Sequence, residues 1–287
     1  MKKSTLLHLR IPFSYFLLPV FLFSLAVFEG QAAVGEIMAI GLILHIFLYP
    51  ASNGFNSYFD KDEESIGGLR NPPKVDKELY WTALFFDAFA LGLGLYFGYE
   101  FVLMLFLYGL VSKAYSHPSV RLKKYPVIGW VAAGLFQGYF TFIMVLVGLQ
   151  GGWSTDLFDW SYQLPAVLTT ALLFGSYPMT QVYQHGEDAR RGDMTISRRL
   201  GILGTFHFTA GAFFFSSLGY VYFFMNSFDG QTAILFLVVL TPVLLFFGWW
   251  YLRVRKDLAE ANFTNTMLLN WVSATVLNAF FFYLYWL

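Results

Sequence analysis

Long apolar runs alternate with short polar connections along almost the whole chain, and that alternation predicts the architecture. Apolar segments fall near 11–28, 34–55, 79–97, 101–115, 126–148, 163–183, 203–225, 231–251 and 267–286. A bilayer crossing needs about 20 mostly apolar residues in a helix, and runs such as LFLVVLTPVLLFFGWWYL (235–252) meet that length. The pattern predicts an all-α, polytopic membrane protein: one bundle of nine transmembrane helices spanning residues 1–287 as a single domain. The N-terminus MKKSTLLHLRIPFSYFLLPVFLFSLAVF has the positive start of a signal peptide, but its apolar part is too long and no small-residue cleavage site follows. It is expected to be a retained first span.

Composition agrees, with 57% hydrophobic and 13% charged residues, against about 25% charged in an ordinary soluble domain. The absence of cysteine excludes disulfides and thiolate metal sites. Net charge is zero, but its distribution is not even. The connections after the first, third, fifth and seventh apolar segments (EGQAAVGE, FGYE, GGWSTDLFDWSYQ, NSFDGQ) contain no Lys or Arg. All 18 basic residues lie in the N-terminal stretch, in the other connections, or at the ends of the segments that flank them. Basic residues near span ends are held on the cytoplasmic side, so the N-terminus is expected inside and the C-terminus outside, in a bacterial inner membrane.

Two of the basic connections are also acidic. NSYFDKDEESIGGLRNPP (56–73) carries Asp60, Asp62, Glu63 and Glu64. If the preceding span continues as helix towards Gly67, Asn56, Asp60 and Glu64 share one face at i, i+4 spacing. In YQHGEDARRGDMTISRRLG (183–201), Gln184 and Asp188 share a face, with Glu187 beside them and Asp193 a turn on. Both connections are expected to be helical and cytoplasmic. Carboxylate and amide oxygens suit a hard divalent cation, and magnesium completes its shell with water and substrate phosphates. Arg70, Lys123, Lys124, Arg190, Arg191, Arg198 and Arg199 supply cations for an anion on the same side. A ligand with a phosphate head and a hydrocarbon tail fits such a mouth above an apolar bundle. Charged residues at helix ends are also ordinary dipole complements, and one acidic cluster alone is more readily a solvated loop. Two such clusters on one side leave the loop and metal readings about even. Asp87 lies within an apolar run and has no assigned role, while His45 and His207 read as core residues. The aromatic final span reads as lipid-facing or interfacial.

The chain resembles the UbiA superfamily of intramembrane prenyltransferases. NSYFDKDEE (56–64) is similar to that family's first aspartate-rich motif, and IGGLRNPP with Arg70 to the element that follows it. QHGED (184–188), Gly192 and TISRRLG (195–201) resemble the second motif and its tail. YSHPSVRLKKYPVIGW (115–130) and the opening RIPFSYFLLP are similar to further family segments. The resemblance implies that Asn56, Asp60, Glu64 and Asp188 bind Mg²⁺. It implies diphosphate contacts from Asn56, Arg70, Lys123 and Arg199, and a positioning role for Tyr115. Asp60, Asp188, Lys123 and Tyr115 form its implied catalytic set. The implied reaction transfers an isoprenoid chain from a polyprenyl diphosphate to a lipophilic, commonly aromatic acceptor in contact with membrane lipid; nucleic acid is not an expected partner. Ser57, Glu64 and Gln184 depart from the family's aspartates, and Asp62, Glu187 and Asp193, with Gln184 itself, stand close enough to compensate. A membrane terpene cyclase, a non-catalytic prenyl-diphosphate binder and a lipid transporter are the alternatives.

Overall fold

The computed structural model describes residues 1–287 and contains ten principal helical elements. They are α1 (Lys3–Val27), α2 (Val34–Asp60), α3 (Lys77–Phe97), α4 (Tyr99–Ser116), α5 (Pro126–Gln150) and α6 (Trp160–Ser176). Then follow the short α7 (His185–Arg191), α8 (Ile196–Ser227), α9 (Gly230–Lys256) and α10 (Phe263–Tyr285). Helices thus cover every apolar segment read from the sequence. Seven of them are long and apolar enough to cross a membrane: α1, α2, α3, α5, α8, α9 and α10.

Local chemistry explains where the helices begin and bend. The side chains of Asp76, Asp229 and Asn262 cap α3, α9 and α10 by accepting N–H groups at 2.7 to 3.0 Å, which satisfies donors the first helical turn leaves open. Inside α1, Arg10 adopts a left-handed conformation (φ 46°) between a first α-helical piece and a 3₁₀ stretch, Ile11–Leu17. Helix α2 widens to a π-helix over Ile43–Leu48 just before Pro50, whose ring would clash with the carbonyl four residues earlier in a regular helix. Helix α5 widens over Phe136–Phe140, where the Thr141 hydroxyl donates to the Phe136 carbonyl at 2.7 Å. Gly138 in that turn lies so close to Thr170 that a Cβ would stand 2.6 Å from its hydroxyl oxygen. Such close backbone approach is how helices pack where lipid offers no hydrophobic drive.

The buried core is strongly aromatic. Phe23, Phe142, Tyr220, Phe224, Phe236 and Phe281 bring together α1, α5, α8, α9 and α10 away from the basic connections. Contacts between connections fix which ends of the helices meet. Lys2 pairs with Asp76 at 2.6 Å, Lys123 with Asp60, and Arg191 with Asp62 at 2.6 Å. Arg70 donates to Thr264 in the first turn of α10. The N-terminus and the connections following α2, α4, α7 and α9 therefore gather at one end of the bundle. At the other end the Tyr162 hydroxyl accepts the Glu29 N–H at 3.2 Å. Asp87, left without a role by the sequence, pairs with Lys113 between α3 and α4.

One expectation is corrected. Helix α2 stops at Asp60, and Lys61 takes the left-handed conformation (φ 49°, ψ 46°). Asp62, Glu63 and Glu64 occupy irregular turns, closed by reciprocal backbone hydrogen bonds between Ile66 and Leu69. Glu64 consequently does not share a helical face with Asn56 and Asp60. The second acidic connection is helical over His185–Arg191, with Gln184 at its N-cap position and Asp193 beyond its end.

Candidate functional site

At the basic end of the bundle a polar cavity of about 150 Å³ opens between α1, α2, α4, α6 and α7. Asn56 and Asp60 enter it from the last turn of α2, one above the other, as i, i+4 residues must. Asp62 and Lys123 come from the following connections, and Gln184 and Asp188 from the start of α7. Tyr115 and Tyr177 close it on the membrane side, their hydroxyls hydrogen-bonded to each other.

Most of the carboxylates here are held by fixed cations. Asp60 pairs with Lys123, with Arg121 at 3.6 Å and Arg191 at 4.0 Å from its Oδ1. Asp193 takes both Arg121 donors at 2.8 Å, the bidentate geometry that makes Arg–carboxylate pairs strong. Arg191 bridges Asp62 at 2.6 Å and Glu187 at 2.7 Å. Glu187 in turn accepts the backbone N–H groups of Glu63 and Glu64 at 3.0 and 3.1 Å, locking the unwound connection onto α7. Asp188 is different: the only hydrogen bond to its carboxylate comes from the Thr195 hydroxyl at 3.2 Å. Burial pushes its carboxyl up to about 7, against the opposing pull of Lys123. Burial, reinforced by the charge of Asp60, likewise pushes Asp62 up to about 6 despite Arg191.

The donors fit a magnesium ion that also binds a ligand. Asp60, Asp62 and Asp188 with the amides of Asn56 and Gln184 offer hard oxygens to one cavity, and Oδ1 of Asp60 is buried without a hydrogen-bond partner. No three acidic or histidine side chains stand close enough to hold an ion by themselves. Phosphate oxygens and water would have to complete the shell, as magnesium commonly requires.

Not every residue implied by the motifs reaches the cavity. Glu64 is exposed and pairs with Arg190 outside it. Arg70 lies over the Phe263 ring, 5.7 Å from its centre, and Arg199 is exposed. Asp193 and Glu187 stand behind the wall, holding Arg121 and Arg191. Ser57 is fully buried and does not line the cavity, so the carboxylate missing there leaves no gap in the wall. Arg10, Tyr177 and Gln181 line the cavity although the sequence assigned them no role. Arg10 reaches in from α1, donating to the carbonyls of Gly67 and Asn53. Its legible signals are its place at the head of RIPFSYFLLP and a charge at the start of an apolar run, since such charges tend to be functional. Tyr177 and the buried Gln181 gave no signal in the sequence.

Beneath the polar cavity, an apolar one of about 230 Å³ runs between α1, α6, α8, α9 and α10, and shares Phe13, Tyr177 and Thr180 with it. A third, of about 180 Å³, lies between α2, α4 and α5. Tyr177 borders all three.

A family model described as the UbiA prenyltransferase family matches residues 16–286. The fold is similar to that of a solved UbiA homolog from Archaeoglobus fulgidus bound to DMAPP and Mg²⁺, with a TM-score of 0.71 and 16% identity over 99% of this chain and 100% of that one. The same homolog bound to GPP and Mg²⁺ gives a TM-score of 0.66 and 15% identity over the same shares. A structure described in connection with digeranylgeranylglyceryl phosphate synthase gives 0.62 and 16%, covering 99% of both chains. No curated protein matches.

Proposed function

Because the chain belongs to the UbiA prenyltransferase family, we propose that it is a magnesium-dependent membrane enzyme that moves an isoprenoid chain from its diphosphate to a lipophilic acceptor. The observation that carries this reading is the stacking of the two cavities. A pocket of carboxylates and cations sits directly on an apolar one, and they share Phe13, Tyr177 and Thr180. A diphosphate head with a hydrocarbon tail matches that division of polarity.

In this reading the head lies among Asn56, Lys123, Arg191 and Arg10, with the allylic carbon level with Tyr115 and Tyr177. Asp60, Asp62 and Asp188 would hold a magnesium ion, which when bound would supply neutralisation of the charge on the leaving group. The C1–O bond breaks with both electrons passing to the diphosphate. Lys123 and Arg191, held in place by Asp60, Asp62 and Glu187, stabilise that charge with donors that need no reorganisation. The acceptor forms its new bond to C1 and releases a proton. The aromatic faces of Tyr115 and Tyr177 can stabilise positive charge on the allylic carbon.

The basic end of the bundle carries the site. By the rule that basic residues stay inside, the site and the N-terminus face the cytoplasm. The shorter helices α4 and α6 complete nine crossings and bring the C-terminus to the opposite face.

Purified protein given magnesium, radiolabelled geranyl diphosphate and a membrane lipid extract should form a labelled, prenylated product. Asp60→Ala and Asp188→Ala should each abolish it. Undiminished turnover in either variant contradicts the proposal.

A further inference from the structure

The third cavity, between α2, α4 and α5, meets the other two at a junction of polar side chains. It shares Arg10, Asn56, Tyr115 and Tyr177 with the polar cavity. With the apolar cavity it shares Asn53, Tyr108, Gln137 and again Tyr177. Its volume of about 180 Å³ exceeds the roughly 150 Å³ that suffices to take up benzene. A ring-sized molecule therefore has room beside the two compartments assigned to the diphosphate and its tail.

Gln137 stands in the widened turn of α5, a kind of helical irregularity frequent at functional sites. The polar groups around it have protein partners. The Thr170 hydroxyl accepts the Tyr139 N–H at 2.8 Å, the Tyr139 hydroxyl donates to Gln163 at 2.6 Å, and Thr141 donates to Phe136. The Gln137 amide has none, although it lines two cavities inside the bundle. Asn53, one turn before Asn56 on α2, is placed alike: its carbonyl accepts Arg10, but its side-chain amide bonds to nothing. An amide without a partner inside a membrane bundle is costly. Two of them on one cavity mark a place for a ligand that can hydrogen-bond.

Arg10 is the one cation on this wall. Its terminal nitrogens donate to the carbonyls of Gly67 and Asn53, and Asp62 and Asp60 lie near enough to offset its charge. An anionic ligand here would be buried without a cation of its own, next to a diphosphate of like charge. From these placements we infer that the third cavity binds the acceptor, and that Gln137 and Asn53 select an uncharged molecule by hydrogen-bonding its hydroxyl or carbonyl oxygen. Each amide carries both donor and acceptor groups, so either oxygen can be met. The inference rests on reading the polar cavity as the diphosphate site.

The test divides a membrane lipid extract by anion exchange into neutral and acidic fractions. Each is offered to the purified full-length protein with magnesium and radiolabelled geranyl diphosphate. The neutral fraction should yield at least about tenfold more labelled product than the acidic one, because like charges brought together bind poorly. Gln137→Leu keeps the bulk and removes both hydrogen-bonding groups. It should raise the half-saturating amount of the neutral fraction about tenfold, the usual scale for a buried group left unpaired. Magnesium-dependent binding of tritiated geranyl diphosphate should not change, which also shows that the variant is folded. Asn53→Leu repeats the measurement from α2. Equal or greater product from the acidic fraction overturns the inference. So does an unchanged half-saturating amount in variants that bind the label, since water would then satisfy the amides. In both cases geranyl diphosphate is still consumed in transfer, and the proposed function stands. If neither fraction yields product, the proposed function fails and the inference with it.

Discussion

At the end of α2, Asp60 lies against Lys123 with Arg121 and Arg191 within 4.0 Å, and Arg191 takes Asp62 at 2.6 Å. Across the cavity on α7, Asp188 has only the Thr195 hydroxyl. All three acids are buried or half-buried, yet the protein supplies close cations to Asp60 and Asp62 and none to Asp188. A buried carboxylate without a partner is costly to ionise, and Asp188 accordingly sits near 7. The contrast teaches that Asp60 and Asp62 are braced by cations before any ligand arrives, while Asp188 gains a close cation only from a ligand brought in.

Lys123→Ala strikes the braced side hardest. Removing one preorganised charge from a transition-state site typically lowers kcat by about 10²- to 10³-fold, and turnover of geranyl diphosphate measures it. A loss no larger than in an exposed-lysine control would show that the bracing is structural only. The conditional side predicts a pH effect. A protonated carboxyl does not ligate a metal, so magnesium affinity should fall as pH drops from 8 to 6, as Asp188 (about 7) and then Asp62 (about 6) take up protons. Calorimetric titration with magnesium and geranyl diphosphate across that range checks this. In Asp188→Asn the step near 7 should vanish; a profile that keeps it puts the titration elsewhere. The smallest effect belongs to the exposed pair outside the cavity. Glu64→Ala and Arg190→Ala should leave turnover and magnesium affinity unchanged within error, because surface ion pairs contribute little. A strong loss in Glu64→Ala would return that residue to the metal site.

The sequence was most legible where the physics is periodic or cumulative. Every apolar segment became a helix, because lipid-exposed backbone must satisfy its own hydrogen bonds. Asn56, Asp60, Lys123, Tyr115, Gln184 and Asp188, all singled out in the sequence, line one cavity. Glu64 was misplaced because the helix ends in a left-handed Lys61, and a lysine carries none of the stop signal a glycine would. Arg70 and Arg199 stand at the right end of the bundle but outside the cavity, and sequence distance from a motif does not reveal which way a side chain turns. Tyr177 and Gln181, in the 3₁₀ stretch after α6, and the site role of Arg10 became visible only through the convergence of that stretch with α1 and α4. Each is an ordinary residue in its own segment, and only tertiary packing gives it neighbours.

The mouth of the site is pinned by bonds between stretches far apart in the chain: Asp60 to Lys123, Arg121 to Asp193, and Glu63 to Glu187. During synthesis the first of these bonds can form once residue 123 is made, but the set is complete only after the ribosome has passed residue 193. Until then the six helices α1 to α6 wait with their acidic and basic ends incompletely paired. A nascent chain stalled before that point would have spans without a working gate, and two fragments divided between residues 125 and 184 could regain one only by finding each other in the membrane.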